Sequence, residues 1–151
     1  MKAVIQRVLS ASVIADGASA GSIDKGLLVL LGVTEKDTEK EAELLASKVS
    51  AIRIFTDDED KMNLSVSDIG GNILVVSNFT LCADCKKGNR PSFSGAMEPV
   101  KANELYEKFC DFISARGIDV GKGVFGADMQ ISMVADGPVT IVLDTDIWSK
   151  K

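Results

Sequence analysis

The sequence predicts an α+β fold in which a mixed, largely antiparallel curved sheet carries two main helices. Stretches with strand patterns outnumber the two stretches with helical spacing, and neighbouring strands follow one another closely enough to pair antiparallel. Of the 151 residues, 46% are hydrophobic, which suffices for a core without disulfides or metal. No repeat or linker interrupts the chain, so a single domain over residues 1–151 is expected.

The first third of the chain is predicted to be mostly sheet. Lys2–Val8 and Ser10–Ala15 have the pattern of two paired strands. Ala18–Ile23 predicts a further short strand, and Leu27–Val33 an apolar one.

A helix and a buried strand are expected next. Thr38 stands three residues before Glu41, which is the spacing of a capping box. After the helix, Ile52–Phe55 has strand character, residues 57–60 form an acidic turn without the glycine of a calcium-binding loop, and Asn72–Val76 is apolar enough for a central strand. The apolar face of the helix consists of Ala42, Leu45, Ala46, Val49 and Ile52.

The last third predicts a second helix and a strand pair. The helix runs from Pro99 to Arg116, with Gly117 as its C-cap. Met129–Met133 and Val139–Leu143 alternate apolar and polar residues on either side of an Asp-Gly-Pro turn, which predicts a strand, a turn and a strand. The apolar stripe of the helix consists of Ala102, Leu105, Phe109, Phe112 and Ile113.

The composition excludes several function classes. The chain has no histidine and a formal net charge of −5. The absence of histidine excludes the Ser–His–Asp triad, the Cys–His dyad and histidine-ligated zinc, so catalysis must use other groups. No apolar run approaches the ~20 residues of a membrane span, and no signal-peptide pattern is present. A cytoplasmic protein without cofactor or bound metal is expected.

Two motifs that suggest common cofactor or redox sites do not fit their context. Cys82-Ala-Asp-Cys85 lacks a second pair for zinc, and the pattern of Ser77–Cys82 is that of a strand end rather than the helix start of a thioredoxin motif. With Cys110, these cysteines are interpreted as reduced thiols. Gly121–Gly126 spells G-x-G-x-x-G, but strand periodicity follows it, so a dinucleotide site is rejected.

Polar residues follow the predicted central strand. Ser77-Asn78-Phe79-Thr80 contains two hydroxyls and an amide. In a regular strand alternate side chains face opposite sides, so all four would converge only at a bend or bulge. Two interpretations are open. The hydroxyls satisfy local backbone groups, or they and free N–H groups hold a carbonyl and stabilise an oxyanion, which requires no histidine.

Two sets of basic residues also have two interpretations each. Arg7 shares strand parity with Ile5, so it either points inward with a partner or lies on a solvated face. Lys86, Lys87 and Arg90 form the most basic loop of an acidic chain. This loop is either a surface turn or a patch that contacts phosphates.

Five segments together carry a family pattern: Lys2–Val8, Ser77–Leu81, Lys86–Phe93, Gly123–Met129 and Gly137–Thr140. They occur in the order found in D-aminoacyl-tRNA deacylases, also called D-tyrosyl-tRNA deacylases, and the sequence resembles this family over nearly its whole length. The resemblance implies a homodimer that hydrolyses the ester between a D-amino acid and the terminal adenosine of tRNA. The implied partners are the tRNA and a second subunit, not DNA or a membrane.

The resemblance also implies a role for each matching residue. A cis Gly137–Pro138 bond would enter the partner subunit's active site, present carbonyls to the substrate's amino group and exclude an L-side chain. Backbone N–H groups near Phe79 and Thr80 would stabilise the oxyanion. Further implied roles are the aminoacyl-ester site for Ser77, Phe79 and Thr80, substrate contact for Asn78, adenine contact for Phe125 and Met129, support of the Gly-Pro element for Arg7, and tRNA contact for Lys86, Lys87 and Arg90.

The mechanism and two departures from the family pattern stay open at this point. Water attack assisted by the tRNA 2′-hydroxyl is favoured, because no protein base tuned near pH 7 is evident. Thr80 as a covalent nucleophile is the alternative, although no base accompanies it. The family usually has Gln where this chain has Asn78, and Asn where it has Ala135. Other functions that fit the sequence are a serine/threonine hydrolase of another small ester or amide and a noncatalytic tRNA-binding dimer.

Overall fold

A mixed sheet with two main helices forms the fold, so the α+β prediction is confirmed. The computed structural model describes residues 1–149, and the last two residues of the predicted domain, 150 and 151, lie outside the described residues. In chain order the elements are β1 (Lys2–Ala15), β2 (Ala18–Ile23), β3 (Gly26–Gly32), α1 (Glu39–Ala51), β4 (Phe55–Thr56), β5 (Met62–Leu64), β6 (Asn72–Ser77), a 3₁₀ helix (Phe79–Cys82), α2 (Pro99–Ser114), β7 (Val120–Lys122), β8 (Met129–Asp144) and α3 (Asp146–Ser149).

The main sheet has the order β2-β1-β3-β6-β7, with β8 paired to β1. β1 is antiparallel to β2, β3 and β8, whereas β3, β6 and β7 run parallel to one another. β6 therefore lies in the interior of the sheet, between β3 and β7, as its apolar sequence predicts. Its carboxyl end leads directly into the 3₁₀ helix. Helices α1 and α2 pack against each other and share one hydrophobic core with this sheet.

The predicted pair of strands at the N-terminus is wrong. Residues 2–15 form one continuous strand, because Leu9 alone between the two predicted strands cannot reverse the chain. The two halves of β1 have different neighbours on one side: Lys2–Val8 pairs with β3, and Ala11–Ala15 pairs with β2. On its other side β1 pairs with β8 along nearly its whole length.

The predicted strand, turn and strand at the C-terminal end is also wrong. Residues 129–144 form the single strand β8, and both halves pair with β1 instead of with each other. Gln6 lies opposite Thr140 and Val8 lies opposite Ala135, so residues 136–139 bulge out of β8 where β1 supplies only Arg7. The Asp-Gly-Pro segment is therefore a bulge on an edge strand.

The helix predictions are confirmed with changed ends. The Thr38 N–H donates to Glu41 Oε2 at 2.6 Å, and the Thr38 hydroxyl oxygen accepts from the Lys40 N–H at 3.3 Å, which begins α1 as a capping box. α2 ends at Ser114, two residues before the predicted end. Its buried face also includes Tyr106, which the predicted stripe omitted.

Two local predictions need correction. Strand character was expected for Ile52–Phe55, but Ile52 is the C-cap of α1 and the strand spans only Phe55–Thr56. The Ser77–Cys82 segment stops being a strand at Ser77 and continues into the 3₁₀ helix. The acidic residues 57–60 do form an exposed turn, which the Asp57 carboxylate stabilises by accepting the N–H groups of Glu59 and Lys61. None of the helices within residues 1–149 has the length and hydropathy of a membrane span.

Candidate active site

A cleft of about 840 Å³ opens at the carboxyl end of β6. Its walls come from the 3₁₀ helix, the start of α2 and the loop between β7 and β8. The cleft is predominantly apolar, with few polar groups, as is typical of a small-molecule site. Six of the predicted site residues line it: Ser77, Asn78, Phe79, Thr80, Phe125 and Met129.

The residues after β6 converge on the cleft because the chain turns there. The Asn78 N–H still donates to the β3 carbonyl of Leu31 at 2.7 Å, but the next residues form the 3₁₀ helix. The Asn78 side chain caps this helix: its Oδ1 accepts the Thr80 N–H at 3.2 Å and also the Thr80 hydroxyl. The bend that the sequence required for convergence is therefore a capped 3₁₀ turn.

The cap decides which backbone donors are available in the cleft. The Thr80 N–H donates to Asn78 Oδ1, so this donor is not free for the oxyanion role that the resemblance implies. The Phe79 N–H, at the first position of the 3₁₀ helix, has no acceptor among residues 1–149. The segment that follows β6 thus has one unpaired backbone donor, the Phe79 N–H, while the Thr80 hydroxyl already donates to the Asn78 amide oxygen.

The glycine-rich loop supplies the opposite wall. The Gly123 N–H donates to the Val75 carbonyl of β6 at 3.2 Å, and a Cβ on Gly123 would lie 2.7 Å from the Met129 sulfur. Phe125 packs against the buried ring of Tyr106 with a centroid distance of 6.1 Å. Strand β8 follows this loop, so the prediction of a strand and not a helix after the G-x-G-x-x-G segment is confirmed.

Arg7 is inward-facing and partnered, which settles its two interpretations. Its Nε donates to the Asp136 carbonyl at 3.1 Å and lies 3.3 Å from the Asp136 carboxylate, and its Nη1 donates to the Ile54 carbonyl at 2.9 Å. The side chain is only 12% exposed. Arg7 therefore stabilises the start of the β8 bulge through Asp136, whereas the neighbouring Ala135 has no side-chain amide that could form such a bond.

The bulge carries the predicted Gly-Pro element at the surface. The Gly137–Pro138 peptide bond is cis, and both residues are exposed. Gly137 has a φ of +134°, a backbone conformation that favours glycine. In the described part of the chain, Gly137, Pro138 and Arg7 do not line the cleft of their own subunit.

The basic loop is a closed surface structure beside the cleft. Asp84 and Ser92 exchange backbone hydrogen bonds of 2.7 and 2.9 Å across its base. Lys86, Lys87 and Arg90 are exposed, and none of them forms an ion pair within residues 1–149. They do not line the cleft, which separates them from the six predicted site residues that do.

Sequence reasoning missed two parts of the cleft. Phe93 lies in the cleft wall, directly after the basic loop, and Glu98, Pro99 and Ala102 line it from the start of α2. No periodicity marks Phe93, since it lies outside helices and strands. Among the described residues, no group of carboxylates or thiols has the arrangement of a metal site.

The three cysteines differ in accessibility, and this gives a direct test of the C-x-x-C interpretation. Burial raises the pKa of Cys110 to about 12 and also raises the pKa of Cys82, whereas Cys85 is exposed. We expect a disulfide-exchange reagent at pH 8 to modify Cys85 rapidly and the other two only after unfolding in guanidinium, because only an accessible thiolate reacts. Cys85→Ser is the matched control, and rapid reaction of two thiols in the folded protein would contradict the assignment.

Comparison with known proteins agrees with the fold and with the family resemblance of the sequence. A family model described as D-Tyr-tRNA(Tyr) deacylase matches residues 4–144. The D-aminoacyl-tRNA deacylase of Anaeromyxobacter dehalogenans (strain 2CP-C) is 54% identical over 145 residues, covering 96% of this chain and 97% of the relative. That of Shewanella baltica (strain OS185) is 55% identical over 143 residues, with coverages of 95% and 99%.

Two solved structures share the architecture. One, described as c-Myc DNA Unwinding Element Binding Protein, has a TM-score of 0.89 and 40% identity, and the match covers 95% of this chain and 98% of that one. The other, described as a probable eukaryotic D-amino acid tRNA deacylase, has a TM-score of 0.81 over 94% and 97% of the chains. At 18% identity it supports the fold alone.

Fold, cleft and relatives together define a hydrolase that acts on ester bonds. The chain belongs to the D-Tyr-tRNA(Tyr) deacylase family.

Proposed function

We propose that this protein hydrolyses the ester bond of D-aminoacyl-tRNA in the cytoplasm and releases a free D-amino acid and tRNA. The observation that carries the proposal is the convergence of Ser77, Phe79, Thr80, Phe125 and Met129 on one cleft, together with the unpaired backbone N–H of its lining residue Phe79. A cleft of about 840 Å³ has room for an adenosine and an ester group.

The ester carbonyl is held at the Phe79 N–H, which stabilises the oxyanion as the carbonyl carbon is attacked. The Ser77 and Thr80 hydroxyls orient the ester. Thr80 acts by position and not as a nucleophile, because its hydroxyl donates a hydrogen bond to the Asn78 amide oxygen, which is too weak a base to remove the proton. The attacking water is assisted by the 2′-hydroxyl of the substrate's own terminal ribose.

Chirality is read by Gly137 and Pro138 of a second subunit. Their carbonyls contact the substrate's amino group and leave no space for an L-side chain. Arg7 supports this role by bracing the bulge that presents them.

The homodimer is supported by apolar side chains exposed along the paired strands β1 and β8. Val142 is 71% exposed, and Leu9, Ile14, Met133 and Val134 are also exposed. Large apolar side chains left exposed on β8, which carries the Gly-Pro element, and on its neighbour β1 support a surface that a partner covers.

Lys86, Lys87 and Arg90 contact the phosphates of the tRNA, because they are exposed cations of one loop in an acidic chain.

The proposal is tested by comparing hydrolysis of D-Tyr-tRNA with that of L-Tyr-tRNA. We expect D-Tyr-tRNA to be cleaved and L-Tyr-tRNA to be spared. Equal cleavage of both would favour a general ester hydrolase. Salt-sensitive tRNA binding without any cleavage would instead favour a noncatalytic binding protein.

Thr80→Ala should lower kcat for D-Tyr-tRNA by about tenfold, which corresponds to the loss of one positioning hydrogen bond. The measurement is single-turnover hydrolysis, with tRNA binding as the control. A loss of about 10⁴-fold or more with binding intact would identify Thr80 as the nucleophile.

A substrate ending in 2′-deoxyadenosine should be hydrolysed much more slowly by the unmodified enzyme, and undiminished hydrolysis would contradict assistance by the 2′-hydroxyl.

A further inference from the structure

The rings of an aromatic pair at the rim of the cleft have no role in the function proposed so far, which uses only the backbone N–H of Phe79. Phe79 and Phe93 both line the cleft, with ring centroids 5.0 Å apart and planes inclined by 75°. Phe79 is 57% exposed and Phe93 is 36% exposed. In an edge-to-face pair at least one broad face of each ring is left uncovered by the other ring. The rim thus presents a large apolar π-surface to solvent.

The backbone holds Phe93 at the junction between the cleft and the basic loop. The hydrogen-bonded pair Asp84 and Ser92 closes the loop immediately before Phe93. On the other side, the Phe93 carbonyl accepts the Ala96 N–H at 3.0 Å, and the Met97 N–H donates to the Val33 carbonyl at the end of β3, also at 3.0 Å. The position of this ring is therefore fixed relative to both the cleft and the loop.

We propose that Phe93 is a stacking platform for the nucleobase that precedes the terminal adenosine at the single-stranded 3′ end of tRNA. This proposal rests on the proposed function. The cleft holds the terminal nucleotide, and the cations at Lys86, Lys87 and Arg90 hold phosphates further along the strand. A nucleotide that connects the cleft with these cations lies over Phe93, because this residue directly follows the basic loop in the chain and lines the cleft.

Stacking on an aromatic ring fits this substrate chemically. Every base has a π-face, so a platform of this kind binds any single-stranded end without reading its sequence. The side chain of the D-amino acid is the other group that could reach the ring. The base is favoured because Phe93 adjoins the loop with the unpaired cations, which attracts phosphates and not an uncharged side chain.

The first experiment measures how much a second nucleotide improves the substrate. The substrates are a D-tyrosyl ester of adenosine and the same ester with one nucleotide added 5′ to the adenosine, and the gain is the ratio of their kcat/KM values. We expect the gain of the unmodified enzyme to fall at least about fivefold in Phe93→Leu and to be kept in Phe93→Tyr, because leucine is apolar but lacks the π-face. A gain in Phe93→Leu equal to that of the unmodified enzyme would overturn the platform. If kcat/KM then falls equally for both substrates, the ring contacts the adenosine or the amino acid instead.

A binding experiment decides the platform independently of hydrolysis. An RNA hairpin with an unpaired 3′ end carries fluorescent 2-aminopurine at the second position from the end, and stacking on Phe93 should quench it. Quenching that is reduced in Phe93→Leu and restored in Phe93→Tyr supports the platform, with thermal unfolding as the check that both variants fold. Equal quenching in all three proteins would refute it. If the unmodified enzyme shows this quenching but cleaves neither ester, the deacylase function fails while the platform stands.

Discussion

Gly137→Ala should lower kcat/KM for D-Tyr-tRNA by at least about 100-fold, because displacement of a positioning group by ~1 Å can cost this much. A Cβ at this position would lie 2.8 Å from the Val139 nitrogen and 2.9 Å from its Cγ2, so the bulge must shift. The φ of +134° adds strain for any residue with a side chain. The shift would displace the carbonyls of Gly137 and Pro138, which in our proposal distinguish a D-amino acid from an L-amino acid.

The matched control for this substitution is Gly70→Ala. Gly70 also has a positive φ of +66°, but a Cβ there would meet nothing within 4 Å, and the residue is exposed in a turn outside the cleft. Gly70→Ala should therefore also incur a cost for a positive φ, smaller than that of Gly137→Ala because +66° lies in the left-handed helical region, and should retain activity. Hydrolysis of D-Tyr-tRNA and L-Tyr-tRNA by both variants gives the answer. Full activity and selectivity in Gly137→Ala would show that the bulge does not contact the substrate.

Gly26→Ala should destabilise the protein by about 3 kcal/mol, near the upper end of the usual range for overpacking a buried site. Gly26 begins β3 opposite Asn72 of β6. A Cβ on Gly26 would overlap the Asn72 carbonyl oxygen and lie 2.8 Å from the carbonyl carbon, so the two parallel strands would have to separate. For a chain of this size the expected fall in Tm is about 6–12 °C.

Gly95→Ala is the control, because Gly95 has an ordinary φ and a Cβ there would meet nothing within 4 Å. Chemical denaturation of both variants, read by circular dichroism, gives the free energies of unfolding. A stability of Gly26→Ala equal to that of Gly95→Ala would show that β3 and β6 are less tightly paired than the register indicates.

The most predictable elements were those specified by residues close together in the chain. The capping box of Thr38 and Glu41 fixed the start of α1, and the uniformly apolar Asn72–Val76 identified a central strand. The periodicity of the glycine-rich segment correctly separated it from a dinucleotide motif.

The site itself was predicted as a set of residues but not as an arrangement. Ser77, Asn78 and Thr80 were identified from their types, while their convergence depends on the cap that Asn78 forms on the 3₁₀ helix. The same cap removed the Thr80 N–H from the expected oxyanion donors. Phe93 was missed as a cleft residue because its place there depends on the closure of the basic loop before it and on the bond of Met97 to Val33 after it.

The amino-acid sequence by itself determined the fold class, the helix starts, the buried strand and the family, because each depends on local patterns or on the order of short motifs. Only the tertiary structure decided that β1 and β8 are single long strands, and that Arg7 lies opposite the bulge with Gly137. The physical reason is that the pairing partners are distant in the chain: Lys2 pairs with Asp144, and Ala15 with Met129. Alternation within a strand shows which face is buried but not which distant strand it pairs with.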